Sequence, residues 1–482
     1  MELQWNRSVC RYLHRQVWEV QNQEQTQEVR LSEGMPDIGQ ILCAWGQPVL
    51  HSKEWRNDAV AVSGGVMTWV LYAPEDGSEP RCMEAWLPFQ GKWNLSDSQR
   101  EGAIRTDVCL RSADARMLSG RKMMVRVSVG MLAEALESRE TEICVPDSLP
   151  EGVQVLKKTY PAVLPKEVGE KRVMLEESLA LPGGLPGKLL CCRAYPQVYE
   201  RNVVGSRAVF KGCCRVHLVY LNSENKVCSH HAEIPFAQYA DLDGEYDKEA
   251  MLCVMMAVSS VEPEMQEGGV GIKCGLVAQY VVFDRELLTV AEDLYSPWQS
   301  VMPEKQKLQL PMVLDHTERT LELTPPAVMD AAKVLDACFF PDQPALFREE
   351  GMLQGRMGGT WQMLYYDMEG NLCSATEPYM GYWELPADEN GDSFVFAGTV
   401  DPEVKLQILS VANECIGMLT GAQLGDRKEP DPNRPSLILR RCGDRSLWEL
   451  AKLCGSTVDG IMKANALTAE PAGDQILLIP IC

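Results

Sequence analysis

Apolar and polar positions along this chain follow two different periods. Most of the length carries β-type runs rich in Val, Leu, Met, Tyr and Trp, each closed by a turn residue. Three of the runs correspond to one another. Residues 62–72 end on Tyr72 and reach Gly77 five residues later; residues 210–220 end on Tyr220 and reach Asn225; residues 353–365 end on Tyr365 and reach Gly370. A strand that closes this way feeds a hairpin turn, because Gly and Asn take positive φ at little cost. Tyr72, Tyr220 and Tyr365 are spaced 148 and 145 residues apart, so the pattern predicts a threefold internal repeat. Gly64 and Gly212 each precede their Tyr by eight residues, and Gly355 precedes its Tyr by ten. An insertion of two keeps the in/out alternation of side chains intact.

Other segments repeat in step. Leu87-Pro88-Phe89 corresponds to Ile234-Pro235-Phe236, and no such tripeptide stands near Tyr382 and Trp383 in the third copy. Each copy closes on a strand-like run, at 124–132, 272–283 and 404–411, and opens on a lead-in at 31–41, 179–190 and 323–335. Residues 146–170 and 296–315 read as strand plus linker. The expected architecture is mainly β: three tandem, sandwich-like β-rich repeats over 1–145, 146–295 and 296–424, the last divergent. Residues 425–435, charged and rich in Pro, read as a linker that tethers a tail without packing it.

The tail, 436–482, changes period. Leu437 to Leu439 is a short apolar run of strand type, Gly443-Asp444 turns the chain, and Ser446 is placed to cap a helix. Leu447, Leu450, Ala451 and Cys454 follow at i, i+3, i+4 and i+7, one stripe of an amphipathic helix. Gly455 ends it, Ser456 or Thr457 starts a second helix with Val458, Ile461 and Met462 inward, and 476–479 forms a second strand. This small α+β unit, strand–helix–helix–strand, resembles a LysM domain. The resemblance rests on Gly443-Asp444, Leu447-Trp448, Leu450-Ala451, Val458, Asn465, Leu467, Gly473 and Leu478-Ile479-Pro480. The turn before the first helix carries one residue more than the family's usual Gly-Asp-Thr-Leu-Trp. The resemblance implies a shallow groove between two loops, the site at which LysM modules commonly take N-acetylglucosamine chains. Its candidate residues are Gly443, Asp444, Arg445, Ser446 and Leu447 on one wall and Glu470, Pro471 and Ala472 on the other. Trp448 reads as a core or groove-floor aromatic.

Charge and cysteine usage narrow the partners. A formal net charge of -22 argues against nucleic acid or an anionic membrane surface. The tail itself balances five basic against five acidic residues, so the acidity lies upstream. Residues 1–20 have no apolar core of the kind a signal peptide needs, and no run of eighteen apolar residues provides a membrane span. The eighteen cysteines include the adjacent pairs Cys191-Cys192 and Cys213-Cys214 and no Cys-x-x-Cys. They read as small buried hydrophobes kept reduced in a cytoplasmic chain.

Catalytic patterns are missing. Residues 183–188 approach a phosphate loop but have the wrong spacing and a Pro within it, and Gly269 to Gly275 reads as a hairpin turn. Neither Gly-x-Ser-x-Gly nor His-Glu-x-x-His occurs. Cys228, His230 and His231 have the chemistry of metal ligands, yet strand alternation sends the two histidines to opposite faces. The sequence predicts no catalytic residue, no metal site and no cofactor.

The lead-in at 33–39, the Gly-to-Tyr strands with their turns, and the Ile-Pro-Phe tripeptide resemble SPOCS domains, which recur in spore-forming Firmicutes. Taken with the LysM-like tail, the resemblance implies a non-catalytic spore-coat morphogenesis protein of the mother-cell cytoplasm, placed at the forespore surface. Its tail would dock the coat basement-layer ATPase (SpoIVA-type), and its β repeats would bind other coat proteins. The other reading is a peptidoglycan-binding protein of the cortex or wall. A wall hydrolase would need a catalytic carboxylate or metal site that the sequence lacks.

Overall fold

In a computed structural model, residues 3–96, 101–182, 187–349, 352–386, 391–400, 403–427, 433–471 and 475–481 are described. The chain is mainly β, built from small antiparallel sheets, with two short helices near its end. The first six strands are β1 (Trp5–Arg30), β2 (Ile38–Arg56), β3 (Ala59–Pro74), β4 (Arg81–Asn94), β5 (Ala103–Ser119) and β6 (Lys122–Pro146). They form one sheet of order β1-β6-β5 and another of order β2-β3-β4. Next come β7 (Gln154–Ala180), β8 (Lys188–Leu221), β9 (Val227–Tyr246), β10 (Met251–Gln266) and β11 (Gly269–Tyr295), with sheets β10-β11-β7 and β8-β9. The third set is β12 (Gln299–Leu321), β13 (Ala331–Pro341), β14 (Ala345–Glu349), β15 (Met352–Asp367), β16 (Leu372–Pro386), β17 (Asp392–Val400) and β18 (Glu403–Arg427). Its sheets are β12-β18-β17 and β13-β15-β14, with β16 on β15.

In each set the earliest strand pairs with the latest, which in turn pairs with the strand just before it. The first two sets also share a register shift, between Leu110 and Ser112 on β5 and between Val258 and Ser260 on β10. The turn residues read from the sequence carry the expected backbone: Gly77 has φ 74°, Asn225 59° and Gly370 88°. The hairpin turn expected over Gly269 to Gly275 instead falls just before it, at Gly268 with φ 89°, and 269–275 is the second arm, paired with β10.

The two sheets of each set bury their facing sides together. Val60, Val66 and Val70 share a cluster with Val125, Val127 and Met131 in the first set. Phe210 and Val216 meet Val254 and Ile272 in the second, and Phe339 and Trp361 meet Leu406 and Ile408 in the third. Alternating residues of opposed strands thus form the cores, the layering expected of sandwiches.

The linker readings at 146–170 and 296–315 are corrected. Those residues lie largely in β7 and β12, which pair along most of their length with β11 and β18. N-terminal β1 does the same with β6. Beyond the third strand of its sheet each long pair runs on as a two-stranded ribbon, and the three ribbons converge. Cys10, Tyr12, Leu164, Leu288, Leu310 and Ile416 share one apolar cluster drawn from all three. Ribbons such as these satisfy their backbone polar groups with each other and leave one apolar side to bury. The three sets therefore pack as one body.

The tail consists of β19 (Leu437–Arg441), α1 (Leu447–Cys454), α2 (Val458–Ala464) and β20 (Ile476–Pro480), with β19 antiparallel to β20. β18 runs to Arg427, so residues 425–427 of the expected linker are strand, and 428–432 lie outside the described residues. Among the described residues no helix is long and apolar enough to cross a membrane.

Candidate functional site

Local chemistry explains each turn of the tail. After β19 the chain reverses at Gly443, whose φ of +56° suits a residue without Cβ. Arg445 N–H donates to the Cys442 carbonyl at 3.3 Å, and Cys442 N–H donates to Gln475 O at 2.8 Å. Ser446 then caps α1: its hydroxyl accepts from Glu449 N–H, and the Glu449 carboxylate accepts from Ser446 N–H, a reciprocal capping box. Gly455 closes α1 in the left-handed conformation, and Thr457 caps α2 through Gly460 N–H. The stripe read from the sequence is the buried one, with Leu447, Leu450, Ala451 and Cys454 packed on Ile461, Leu477 and Ile479. Asn465 joins α2 to β20, donating to Leu478 O at 2.6 Å and accepting from Leu478 N–H at 2.7 Å.

Among the described residues, the two expected walls meet through Glu470. The Glu470 carboxylate accepts from the backbone N–H of Leu447 at 3.0 and 3.3 Å. That N–H belongs to the first turn of α1, where an unpaired donor and the positive end of the helix favour a carboxylate. Gly443, Asp444, Arg445 and Glu470 are exposed, Ser446 and Pro471 are half-buried, and Ala472 lies outside the described residues. Leu447 is 1% exposed, so its side chain belongs to the core and only its backbone reaches the groove.

Trp448 does not floor that groove. Its indole Nε1–H donates to Asp293 Oδ2 at 2.9 Å, and its ring meets Tyr295 edge-on with centroids 4.8 Å apart. Lys452 Nζ lies 2.8 and 2.6 Å from the two Asp293 oxygens, and Tyr295 O–H donates to Ser456 O at 3.0 Å. Asp293 and Tyr295 sit at the end of β11, so the tail is docked on the second ribbon. The unpacked, tethered tail expected from residues 425–435 is thereby corrected. Composition supplied no sign of this contact, because one Asp and one Tyr at a strand end carry no pattern.

Chemistry elsewhere lies between the sets. Cys253 Sγ is 3.2 Å from His316 Nε2 and 3.1 Å from Arg105 Nη2. Burial pushes this thiol up, but the two cations bring it down to about 7. Cys253 and Arg105 are wholly enclosed, and Arg105 also binds Glu134 at 2.7 Å, which makes the group a buried charge network. Cys228, His230 and His231 lie in a row on β9, where neighbours alternate between faces. Residues 183–186 of the Gly-rich stretch lie outside the described residues, and Lys188 begins β8.

No family model, no curated protein and no solved structure matches this chain.

Proposed function

We propose that this protein is a non-catalytic coat-assembly scaffold. Its three β sets are divergent copies of one SPOCS-like domain, and its tail is a LysM-like module that docks a protein partner. The partner class is the coat basement-layer ATPase (SpoIVA-type) at the forespore surface, and the β body offers surfaces to other coat proteins.

One observation carries the choice of protein over glycan. Trp448 is the tail's single aromatic residue, and it is held by Asp293 and Tyr295. A flat aromatic face is the usual apolar platform for a ring-shaped ligand, and this one is partly buried and turned toward Asp293 and Tyr295 of β11. Among the described residues, the groove keeps an exposed polar rim of Asp444, Arg445 and Glu470. A rim of mixed charge suits a protein surface, where complementary charges set register and partner choice.

The packed body changes the mechanism from the one the linker reading implies. Three sets fixed against one another present their surfaces at set angles, so binding several coat components at once would order them in space. The test is a double substitution, Asp444→Ala with Arg445→Ala, in the full chain. Capture of the purified basement-layer ATPase should fall at least about tenfold, the scale of losing a charged contact. Undiminished capture by the variant and by residues 1–427 would overturn the docking role of the tail.

A further inference from the structure

The second and third β sets meet at a group of side chains with the composition of a transition-metal site. His217 on β8 and His231 on β9 are direct partners in the antiparallel register. Opposed residues project from the same face of a strand pair. Their imidazoles accordingly stand side by side, with centroids 4.0 Å apart and planes 40° from parallel. Asp336, from β13 of the third set, completes the group. One ligand atom from each of the three lies within 4.8 Å of the others.

We propose that His217, His231 and Asp336 form a binding site for a divalent transition metal of the zinc class. Two imidazoles and a carboxylate are a donor set that suits Zn2+ and Co2+ and leaves a fourth tetrahedral position for water. Ligand atoms about 2.0–2.1 Å from a tetrahedral zinc lie roughly 3.3 Å apart, so the residues need to close by about 1.5 Å at most. Modest side-chain rotations cover that distance. His231 is exposed, which gives an ion a way in, whereas His217 and Asp336 are 3% exposed and anchor the site.

The surroundings resemble an outer shell. Asp336 Oδ2 accepts from Trp45 Nε1–H at 2.7 Å, and Oδ1 accepts from Arg193 Nη2–H at 2.5 Å. Each carboxylate oxygen has two lone pairs, so one remains on each for a metal. Hydrogen bonds of this kind orient ligating carboxylates in metal sites. Tyr195 packs edge-on to His217 with centroids 5.3 Å apart and limits its swing. The Arg193 guanidinium opposes a dication and sets the affinity below that of a site without it. Trp45 belongs to the first set, Arg193 and both histidines to the second, and Asp336 to the third. A bound ion would therefore pin all three where they meet.

The experiment uses the full chain, stripped by chelator and titrated with Co2+ and then Zn2+. One ion per chain is expected, with the visible absorption of four-coordinate cobalt and no thiolate-to-cobalt charge-transfer band. Zinc should raise the melting temperature. His231→Ala sits on the exposed side and should melt like the wild type in chelator. Its metal affinity should fall by more than the roughly 10–100-fold that loss of an outer-shell partner costs. X-ray absorption of the wild-type zinc form, which needs no variant to fold, should read nitrogen and oxygen ligands with imidazole scattering. Absence of binding, sulfur ligation, or full affinity in His231→Ala would each overturn the proposal.

Discussion

Trp448 donates its indole N–H to Asp293 at 2.9 Å while Lys452 lies 2.6 Å from the same carboxylate oxygen. One acidic side chain at the end of the second ribbon thus receives two residues one turn apart on α1, the spacing that places them on one face. Asp293→Ala should leave the body and tail folded but weaken their contact by about 1–3 kcal/mol, the worth of hydrogen bonds to a charged group. Hydrogen exchange of α1 and protease cleavage between 427 and 433 should both accelerate; unchanged rates would show that the contact adds nothing.

The same residue gives the docking a pH dependence. Burial pushes the Asp293 carboxyl up, but hydrogen bonds from Lys452 and Trp448 outweigh it and hold it below its ordinary value. A depressed carboxylate contributes fully above its undocked pKa and loses that contribution as pH falls through the docked one. Docking should therefore be constant from pH 8 to about 5 and weaken only below about 4. Tail exchange rates measured across that range check the sign.

Gly64 faces Phe89 across β3 and β4, and Gly212 faces Phe236 across β8 and β9. A Cβ on Gly64 would stand 2.1 Å from Val49 O, and one on Gly212 2.0 Å from Gln197 O. The obstacle is backbone, which cannot step aside as a side-chain tip can. Gly64→Ala and Gly212→Ala should each destabilise by about 1–3 kcal/mol or more. Chemical denaturation of the two variants should give matching losses if the sites are equivalent.

Arg193 and Asp336 form a fully buried pair between the second and third sets. Arg193→Met strands the carboxylate and should cost about 3–5 kcal/mol, as breaking one side of a buried pair does. Loss of cooperativity in thermal unfolding, with the sets melting apart, would accompany it. A variant as stable as the parent would mean that this pair does not hold the sets together.

Glu470→Gln keeps the shape of the side chain and removes its charge. The bond to Leu447 N–H then becomes a neutral one, about half as strong, and the tail should lose about 1 kcal/mol. Thermal melts at neutral pH read this directly.

The local grammar of the fold was legible in the sequence. Positive φ at Gly77, Asn225 and Gly370 followed from residue type and spacing, and the α1 stripe followed from its 3.6-residue period. The third set shows where spacing fails. Gly355 faces Trp383 directly across β15 and β16, so the aromatic partner of the glycine is present without the Pro-Phe context that marks the other two. Pro341 and Pro344 frame the gap between β13 and β14, consistent with prolines that cannot donate to a ladder. β1 carries little strand signal because its second half, rich in Gln and Glu, is largely exposed and lacks apolar alternation. Of the candidate site, the exposed turn and Glu470 were readable, but the Trp448–Asp293 contact joins residues 155 apart in sequence. No local pattern encodes such a pairing.

The most direct test of the coat-docking account presents the full chain, in parallel, to the purified coat basement-layer ATPase and to purified peptidoglycan. The account predicts saturable capture by the ATPase, lost in the Asp444→Ala, Arg445→Ala variant, and no retention on glycan. Retention on glycan with no capture by the ATPase would contradict it and make the tail a sugar-binding module.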